Sequence, residues 1–400
     1  MNTRNPWHLL SRYQNCAAWV LVSVLAAGPA RALDTSRDDV AGFVAEMSTR
    51  HGFDAVALTD LMSKTESRPG ILEAIARPAE KRLTWQEYRA IFITDRRIQK
   101  GVEVAGVQSA ALERASAGGV PAQYLVAITG VETFYGQIAG KHRVMDALAT
   151  LGFDYPPRSR FFREQLEQFL LMTREESLDS LAPLGSYAGA MGIPQFMPGS
   201  FRTFAVDGDG DGHRDLWSNW SDVFASVSNY LLKNGWHPGE PVMARADVTG
   251  ARLEGLSDDK LALSETVRSL RERGVKFETT QPPEAPAVLI PLPLADGVEY
   301  RVGFSNYYAI TRYNRSALYA SAVNDLAEAI AAGAAIPENP AAADPPQVDA
   351  SAAPPINQPA AEAPSADSAS PVDTDAGKPA DAASKPAPTF SFESISSIPK

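Results

Sequence analysis

The sequence is poor in the residues that build disulfides and zinc sites: of its 400 residues, one is cysteine (Cys16) and five are histidine. A single cysteine excludes a disulfide within the chain, and the histidines form no H-E-x-x-H pair of the kind that binds zinc in peptidases. The sequence has no G-x-S-x-G turn, which marks the nucleophile of serine hydrolases, and no phosphate-binding glycine loop. We expect no organic cofactor. The net charge of −11 argues against nucleic acid as a partner, because phosphate backbones are bound by clustered lysine and arginine.

The N-terminus lacks a hydrophobic run long enough to span a bilayer, since its apolar stretch covers only residues 17–27. Arg4 and Arg12 precede this stretch and small residues follow it, as in a secretory signal that is cleaved after Ala32. Cys16 lies before the apolar run, whereas a lipoprotein signal carries its cysteine after it. We therefore expect export to the periplasm without a stable membrane anchor; an uncleaved signal anchor is the alternative.

The hydrophobic pattern predicts a mainly α (α+β) fold for residues 33–335. Near the start, four apolar residues recur at helical spacing: Val40, Phe43, Val44 and Met47. Thr84 and Glu87 stand three residues apart, which is the capping-box signature of a helix start. A last helix is expected from near Ser316 to about Ala332.

A small β-element is expected at about 240–310 within this helical region. Alternating residues at 287–290 and 298–302 flank a glycine-containing turn, which predicts a β-hairpin. From residue 336 onwards the chain is mostly proline, alanine, serine and aspartate, a composition that cannot bury enough apolar surface to fold. The predicted organisation is a signal peptide (1–32), a folded region (33–335) and a disordered tail (336–400).

Glu132 is the candidate for acid/base chemistry. Pro121 stands where a helix can begin, and Leu125, Ile128 and Glu132 follow at i, i+3 and i+7, which places the carboxyl on a face with two core residues. Gly136 marks the helix end one turn later. Desolvation and the negative end of the helix dipole would both raise the pKa of Glu132, as a general acid for glycosidic cleavage requires. Spacing alone leaves a surface glutamate near a helix end as the alternative.

Three sequence blocks set this glutamate in a wider pattern: Gly130–Gly136 (GVETFYG), Ser186–Pro198 (SYAGAMGIPQFMP) and Arg312–Ser316 (RYNRS). In this order they resemble the lytic murein transglycosylase B family, whose members cut the glycan strands of peptidoglycan, here in a form without a lipoprotein signal. The resemblance extends from about residue 38 to about residue 330. It implies a lysozyme-like catalytic core with an N-terminal helical region.

By this resemblance Glu132 is the catalytic acid/base, and the sugar-binding groove is lined by Ser186, Tyr187, Gln195, Tyr230, Tyr313 and Asn314. Such a groove needs aromatic faces for sugar rings and amide or hydroxyl groups for their substituents, although Tyr230 could equally be a core residue. The implied reaction is non-hydrolytic. Glu132 protonates the oxygen between N-acetylmuramic acid (MurNAc) and N-acetylglucosamine (GlcNAc), then takes the proton of the muramoyl C6 hydroxyl as a 1,6-anhydro ring closes. The expected partners are peptidoglycan glycan strands and proteins of cell-wall synthesis or remodelling.

Two other interpretations stay open on the sequence alone. A muramidase would hydrolyse the same bond with water, and glycosidases usually need two carboxylates for this, whereas the three blocks contain only Glu132. A peptidoglycan-binding scaffold with an inactive site would have no need to retain Glu132.

An acidic, glycine-rich segment at 207–218 (DGDGDGHRDLWS) follows the EF-hand loop pattern. Carboxylates stand at loop positions 1, 3, 5 and 9, and glycine at the sharp turn at position 6. Ser218 replaces the bidentate glutamate of position 12, and Asp222 is our candidate for the missing carboxylate. The predicted ligands are Asp207, Asp209, Asp211, His213, Asp215 and Asp222. His213 would bind through its backbone carbonyl and the others through their carboxylates. Oxygen ligands favour calcium over zinc, here in a structural role; a turn without a metal is the alternative.

Overall fold

The computed structural model describes residues 30–76 and 83–333. Cys16, most of the predicted signal peptide and the predicted tail lie outside these ranges. At the expected cleavage site, Arg31–Ala32 form a short strand, β1, that pairs with Glu66–Ser67, β2. Across the described ranges, no helix combines the length and the hydrophobicity needed to cross a membrane.

The first part of the chain is helical and consists of α1 (Asp38–His51), α2 (Ala55–Ser63), α3 (Pro69–Ala76), α4 (Trp85–Phe92), α5 (Asp95–Val107) and α6 (Ser109–Ser116). The four apolar residues predicted for one face of α1 are buried. At the start of α4, the Thr84 hydroxyl accepts the Glu87 N–H and the Glu87 carboxylate accepts the Thr84 N–H. The predicted capping box is therefore confirmed.

The middle of the chain forms the helical core: α7 (Ala122–Thr133), α8 (Val144–Asp154), α9 (Ser159–Glu175), α10 (Pro198–Phe204) and α11 (Trp220–Lys233). A short ladder of β3 (His142–Arg143) and β4 (Leu184–Gly185) lies beside it. Helix α7 begins directly after Pro121, as predicted, and most of its residues are buried. A helix that is apolar on all sides belongs inside a core, and α7 packs against α5 and α11.

The predicted β-element is a four-stranded antiparallel sheet in the order β5–β8–β7–β6. Its strands are β5 (Met243–Ala246), β6 (Glu265–Thr266), β7 (Pro286–Pro293) and β8 (Val298–Gly303), with α12 (Val267–Glu272) after β6. The predicted hairpin is β7–β8, with Ile290 opposite Arg301. Gly297 turns the chain at a positive φ of 105°, where glycine is the favoured residue.

Two helices return the chain to the core after the sheet. They are α13 (Ser305–Tyr313) and α14 (Ala317–Gly333), and α14 confirms the predicted last helix. Helix α14 packs along α7 and also contacts α4 and α5, so it joins the N-terminal helices to the centre of the molecule. The α+β fold class with a mainly helical core is confirmed.

Candidate active site

Glu132 lies in the last turn of α7, and its two carboxyl oxygens have different surroundings. Oε1 accepts a hydrogen bond from the Tyr319 hydroxyl at 2.8 Å. Oε2 is buried and has no hydrogen-bond partner among the described residues. The residue as a whole is partly exposed. Its carboxyl is therefore close to the surface, although it is largely shielded from water.

Burial raises the pKa of Glu132 to about 8, and the hydrogen bond from Tyr319 offsets part of this rise. The carboxyl also stands at the C-terminal end of α7, where the helix dipole disfavours a negative charge. With this pKa, the protonated form of Glu132 predominates at pH 7. Glu132 can therefore act as a general acid near neutral pH.

Three tyrosines surround this carboxyl: Tyr230, Tyr313 and Tyr319. The rings of Tyr313 and Tyr319 stack with centroids 6.5 Å apart, and Tyr230 meets Tyr313 edge-on at 4.8 Å. Burial, followed by the nearby Glu132 charge, raises the pKa of both Tyr313 and Tyr319 well above the usual value. Burial likewise raises the pKa of Tyr230 to about 12. All three therefore stay neutral hydroxyl donors.

The hydroxyls of two of these tyrosines fasten neighbouring segments together. Tyr313 donates to the carbonyl of Pro194 at 2.6 Å, in the second sequence block. Tyr230 donates to the carbonyl of Arg312 at 2.5 Å, in the third block. The predicted groove residues Tyr230 and Tyr313 are thus buried next to Glu132, and they support the site more than they line its surface.

The chain leaves α7 through a left-handed turn. Phe134, Tyr135 and Gly136 all have positive φ, at 49°, 60° and 83°. The helix therefore ends at Thr133, before the predicted marker Gly136, because two non-glycine residues adopt the strained conformation first. The Thr133 hydroxyl donates to the Ile193 carbonyl at 2.9 Å and accepts the Gly136 N–H at 2.9 Å. Thr133 thus ties the end of α7 to the second block.

The second block is a folded loop in which the predicted groove residues have structural contacts. The Ser186 hydroxyl accepts the N–H groups of Ala188 and Ala190 at 3.3 and 3.0 Å. Gln195 is buried, and its side-chain amide donates to the carbonyls of Ala139 and Gly192. Gln195 therefore joins the loop to the segment that follows α7. Tyr187 and Asn314 are half-buried and remain the better placed of the predicted residues to meet a ligand.

Tyr319 is the site residue that the sequence did not predict. It lies three residues after the third block, on α14, and 187 positions from the glutamate that it contacts. The only signal in the sequence is this proximity to the block. Nothing in local spacing shows that α14 packs against α7.

The acidic loop brings three of its six predicted ligands together. One carboxylate oxygen from each of Asp207, Asp209 and Asp211 lies within 4.8 Å of the others. Both oxygens of Asp207 accept loop N–H groups, from Gly210 at 2.6 Å and from Gly212 at 2.8 Å. Three carboxylates held this close repel one another, and a hard divalent cation with oxygen ligands would relieve the repulsion.

The other predicted ligands lie outside this group of three carboxylates. Asp222 is buried in α11, where its oxygens accept the N–H groups of Gly208 and Asp215 at 2.8 and 2.7 Å. Burial is the main cause that raises the pKa of Asp222, and the charges of Asp209 and Asp207 act in the same direction. Asp222 thus fastens both ends of the loop while it faces the acidic group.

Asp215 and His213 make contacts within the loop. Asp215 accepts the N–H groups of Trp217 and Ser218, and the exposed His213 donates its N–H to Asp211.

The acidic loop is also joined to the active-site loop. The Leu216 carbonyl accepts the N–H of Ile193 at 2.8 Å, and the carbonyl of Ile193 accepts the Thr133 hydroxyl. Two residues before Leu216, the Arg214 guanidinium binds the buried carboxylate of Glu176 at the end of α9. One continuous set of contacts therefore connects the acidic loop, the second block and the end of α7.

Comparison with known proteins agrees with this architecture. Residues 35–328 match the family described as "Transglycosylase SLT domain". Membrane-bound lytic murein transglycosylase B of Escherichia coli is 38% identical over 299 residues, which cover 72% of this chain and 81% of that protein.

Two solved structures show the same fold. Catenated lytic transglycosylase SltB1 from Pseudomonas aeruginosa is 45% identical, with a TM-score of 0.71 over 74% of this chain and 98% of that one. Escherichia coli Slt35, solved in complex with calcium, is 37% identical, with a TM-score of 0.68 over 77% of this chain and 97% of that one. The chain therefore belongs to the transglycosylase SLT domain family and is a relative of the lytic murein transglycosylases.

Proposed function

We propose that this enzyme cleaves the β-1,4 bond between MurNAc and GlcNAc in peptidoglycan without water, leaving 1,6-anhydromuramoyl ends, and that Glu132 is its single acid/base. One observation carries the proposal. The Glu132 carboxyl is desolvated, is held by Tyr319 and has a pKa of about 8, so it keeps its proton near neutral pH.

In the first step, protonated Glu132 gives its proton to the glycosidic oxygen as the bond from MurNAc C1 to that oxygen breaks, and GlcNAc departs with a 4-hydroxyl. Glu132 is then a carboxylate, which accepts the hydrogen bond of the Tyr319 hydroxyl. In the second step, this carboxylate takes the proton of the muramoyl C6 hydroxyl, whose oxygen bonds to C1. Glu132 ends the cycle protonated, so no water and no second acid is consumed.

A hydrolytic muramidase is the second candidate, and the surroundings of Glu132 favour it less. Glycosidases that use water commonly place two carboxylates on either side of the bond. Among the described residues, the Glu132 carboxyl has one hydrogen-bond partner, the neutral Tyr319 hydroxyl, and no carboxylate contacts it. This isolation suits intramolecular attack by the C6 hydroxyl.

Mass spectrometry of digested sacculi tests the proposal. Wild-type enzyme should release muropeptides with anhydromuramoyl ends, and Glu132→Gln should release almost none, because an amide cannot donate the proton. Glu46→Gln, which changes an exposed glutamate of α1, is the matched control and should act as wild type does. Reducing muramoyl ends from the wild type would establish the muramidase instead. Undiminished release by Glu132→Gln would show that another group is the acid.

We also propose that the acidic loop binds a structural calcium ion through Asp207, Asp209 and Asp211, with the His213 carbonyl, Asp215 and Asp222 completing the site. The support is the convergence of three carboxylates and the relative Slt35, which was solved with calcium. We expect EDTA to lower the melting temperature of the wild type and to leave that of Asp207→Ala unchanged. Asp60→Ala, which removes an exposed carboxylate of α2, should keep the response to EDTA. A wild-type melting temperature that EDTA does not alter would contradict calcium binding.

We further propose that residues 1–32 direct the enzyme to the periplasm and are removed after Ala32. The support is the order of arginines, apolar run and small residues. N-terminal sequencing of the protein recovered from the periplasm should begin at Leu33. A protein that stays in the membrane fraction with Met1 intact would show an uncleaved anchor.

A further inference from the structure

Arg312, the first residue of the third block, takes no part in the proposed mechanism. It lies in the last turn of α13, directly before Tyr313, and its carbonyl accepts the hydroxyl of Tyr230. Its guanidinium lies over the ring of Tyr308, 4.7 Å from the centroid, and Nη1 donates to the Tyr308 hydroxyl at 3.3 Å. The side chain is therefore fixed beside the tyrosines that surround Glu132.

The fixed guanidinium has no carboxylate partner among the described residues. By contrast, Arg301 pairs with Asp325 and Glu299, and Arg214 pairs with Glu176. In Arg312 the Nε atom is also buried and lacks a hydrogen-bond partner within the described ranges. Burying a donor without a partner is costly. The guanidinium is bound only by the ring and hydroxyl of Tyr308, so its Nη atoms can bind an anion from outside the chain.

The position of Arg312 relative to Glu132 can be judged from Tyr230. Burial is the main reason that the pKa of Tyr230 is high; the Arg312 charge lowers it and the Glu132 charge raises it. Tyr230 donates to the Arg312 carbonyl and meets Tyr313 edge-on, and Tyr313 stacks on Tyr319, whose hydroxyl donates to Glu132. Arg97, another arginine with an unpartnered Nε, differs because it is buried between the rings of Phe92 and Phe134. Arg312 is half-exposed and accessible to a ligand.

We propose that Arg312 binds a carboxylate carried by the muramoyl residue of the substrate, and that it determines specificity for muramoyl over uncharged sugars. This inference rests on the proposed function, since it assumes peptidoglycan in the groove. A muramoyl residue carries such a group on its lactoyl substituent when that is free, or on the peptide attached there. Guanidinium groups bind carboxylates through paired, charge-assisted hydrogen bonds, which a neutral sugar substituent cannot supply.

Steady-state kinetics on four forms of glycan strand test this role. The strands carry stem peptides or are peptide-free with a free lactoyl carboxylate, and each kind is used unmodified and with its carboxylates converted to amides. For the wild type we expect amidation to raise KM about tenfold with kcat unchanged, as for the loss of one charge-assisted hydrogen bond in binding. An effect confined to peptide-bearing strands would assign the carboxylate to the peptide, and one confined to peptide-free strands would assign it to the lactoyl group.

Variants locate the effect at Arg312. Arg312→Gln should show the raised KM on unmodified strands and no further rise on amidation, because the two changes remove the same contact. Arg312→Lys should bind unmodified strands more tightly than Arg312→Gln does, since lysine keeps the positive charge but lacks the two parallel N–H groups of the guanidinium. Arg268→Gln removes an exposed positive charge from α12, beside the sheet, and should retain the wild-type response to amidation.

Two results would overturn the inference: an unchanged wild-type KM on amidation, or a rise for Arg312→Gln as large as that for the wild type. The wild-type comparison needs no variant, so a folding defect of Arg312→Gln leaves the test decisive. Reducing ends, or no release from any strand by the wild type, would instead mean that the proposed function is wrong.

Discussion

At the scale of single residues, the chemistry depends on how one carboxyl is surrounded. The buried Oε2 of Glu132 favours the protonated form, because a charge there would lose its hydration. The hydrogen bond from Tyr319 to Oε1 favours the carboxylate. Glu132 must exist in both forms during the proposed cycle, and these two opposed effects keep its pKa near neutrality.

Replacing Tyr319 by phenylalanine tests this balance. The pKa of Glu132 should rise further, because the contact that lowers it is lost, and the carboxylate needed for the second step should be less stable. We expect kcat on sacculi to fall about tenfold, as for loss of a hydrogen bond to a charged group, and the alkaline limb of the pH profile to move to higher pH. Tyr300→Phe, on β8, should change neither quantity. A Tyr319→Phe enzyme with wild-type kcat and pH profile would show that this contact has no catalytic role.

Local sequence predicted the buried Glu132 but not its hydrogen-bond partner Tyr319. Leu125, Ile128 and Glu132 share a helix face, and this spacing anticipated a buried carboxyl at the end of α7. The Tyr319 hydroxyl reaches Glu132 only because α14 packs along α7, and periodicity carries no information about such distant contacts. Gln195 shows the same limit: its amide chemistry suits a sugar, but in the fold it donates to the carbonyl of Gly192 in its own loop and to that of Ala139 in the segment after α7.

At the scale of elements, the site depends on two irregular segments, the left-handed turn after α7 and the folded loop of the second block. Phe134 and Tyr135 adopt positive φ, which costs on the order of 1–2 kcal/mol per residue. The Tyr135 hydroxyl donates to the Arg97 carbonyl at 2.8 Å, and its ring packs where a side chain at Gly130 would clash. Tertiary contacts thus hold a conformation that sequence rules disfavour, so the exact helix end could not be predicted.

Gly192→Ala tests the contact between the second block and the acidic loop. Gly192 has φ +67°, and a Cβ there would approach the Leu216 carbonyl oxygen to 2.4 Å. Conformational strain and the steric clash together should lower the free energy of unfolding by about 2–5 kcal/mol. Gly235→Ala is the matched control, with φ +91° and no atom within 4 Å of the added Cβ, and should lose only about 1–2 kcal/mol. Equal losses in urea titrations of the two variants would contradict the proposed clash.

At the scale of the whole molecule, a buried ion-pair network joins distant parts of the chain. Asp325 on α14 accepts hydrogen bonds from Arg301 on β8 at 2.5 Å and from Arg89 on α4 at 3.0 Å. The helix that carries Tyr319 is thereby connected to the sheet and to the N-terminal helices. The sheet order β5–β8–β7–β6 and this network both depend on long-range pairing, whereas the β7–β8 hairpin is local and was predicted from its alternation and turn.

Asp325→Asn should destabilise the whole fold, because it leaves Arg301 buried with only Glu299 as a counter-charge. Removal of one partner from a buried pair typically costs about 3–5 kcal/mol, and Glu299 should keep the loss near the lower end. Asp60→Asn, which breaks an exposed pair with Lys64, should change the free energy of unfolding by less than about 1 kcal/mol. Similar unfolding midpoints in guanidinium chloride for the two variants would show that the buried network contributes little.

The protonation of buried Glu132 is best measured by comparing the free energies of unfolding of the wild type and of Glu132→Gln across the pH range. The pKa of Glu132 is about 8 in the folded protein, against an ordinary value of 4.5, so the folded state binds this proton more tightly than the unfolded chain does. The stability that comes from the proton is complete below the ordinary pKa and is lost as the pH rises through about 8. We expect the wild type to lose a few kcal/mol relative to the glutamine variant over this pH window. A difference between the two proteins that stays constant with pH would contradict this expectation.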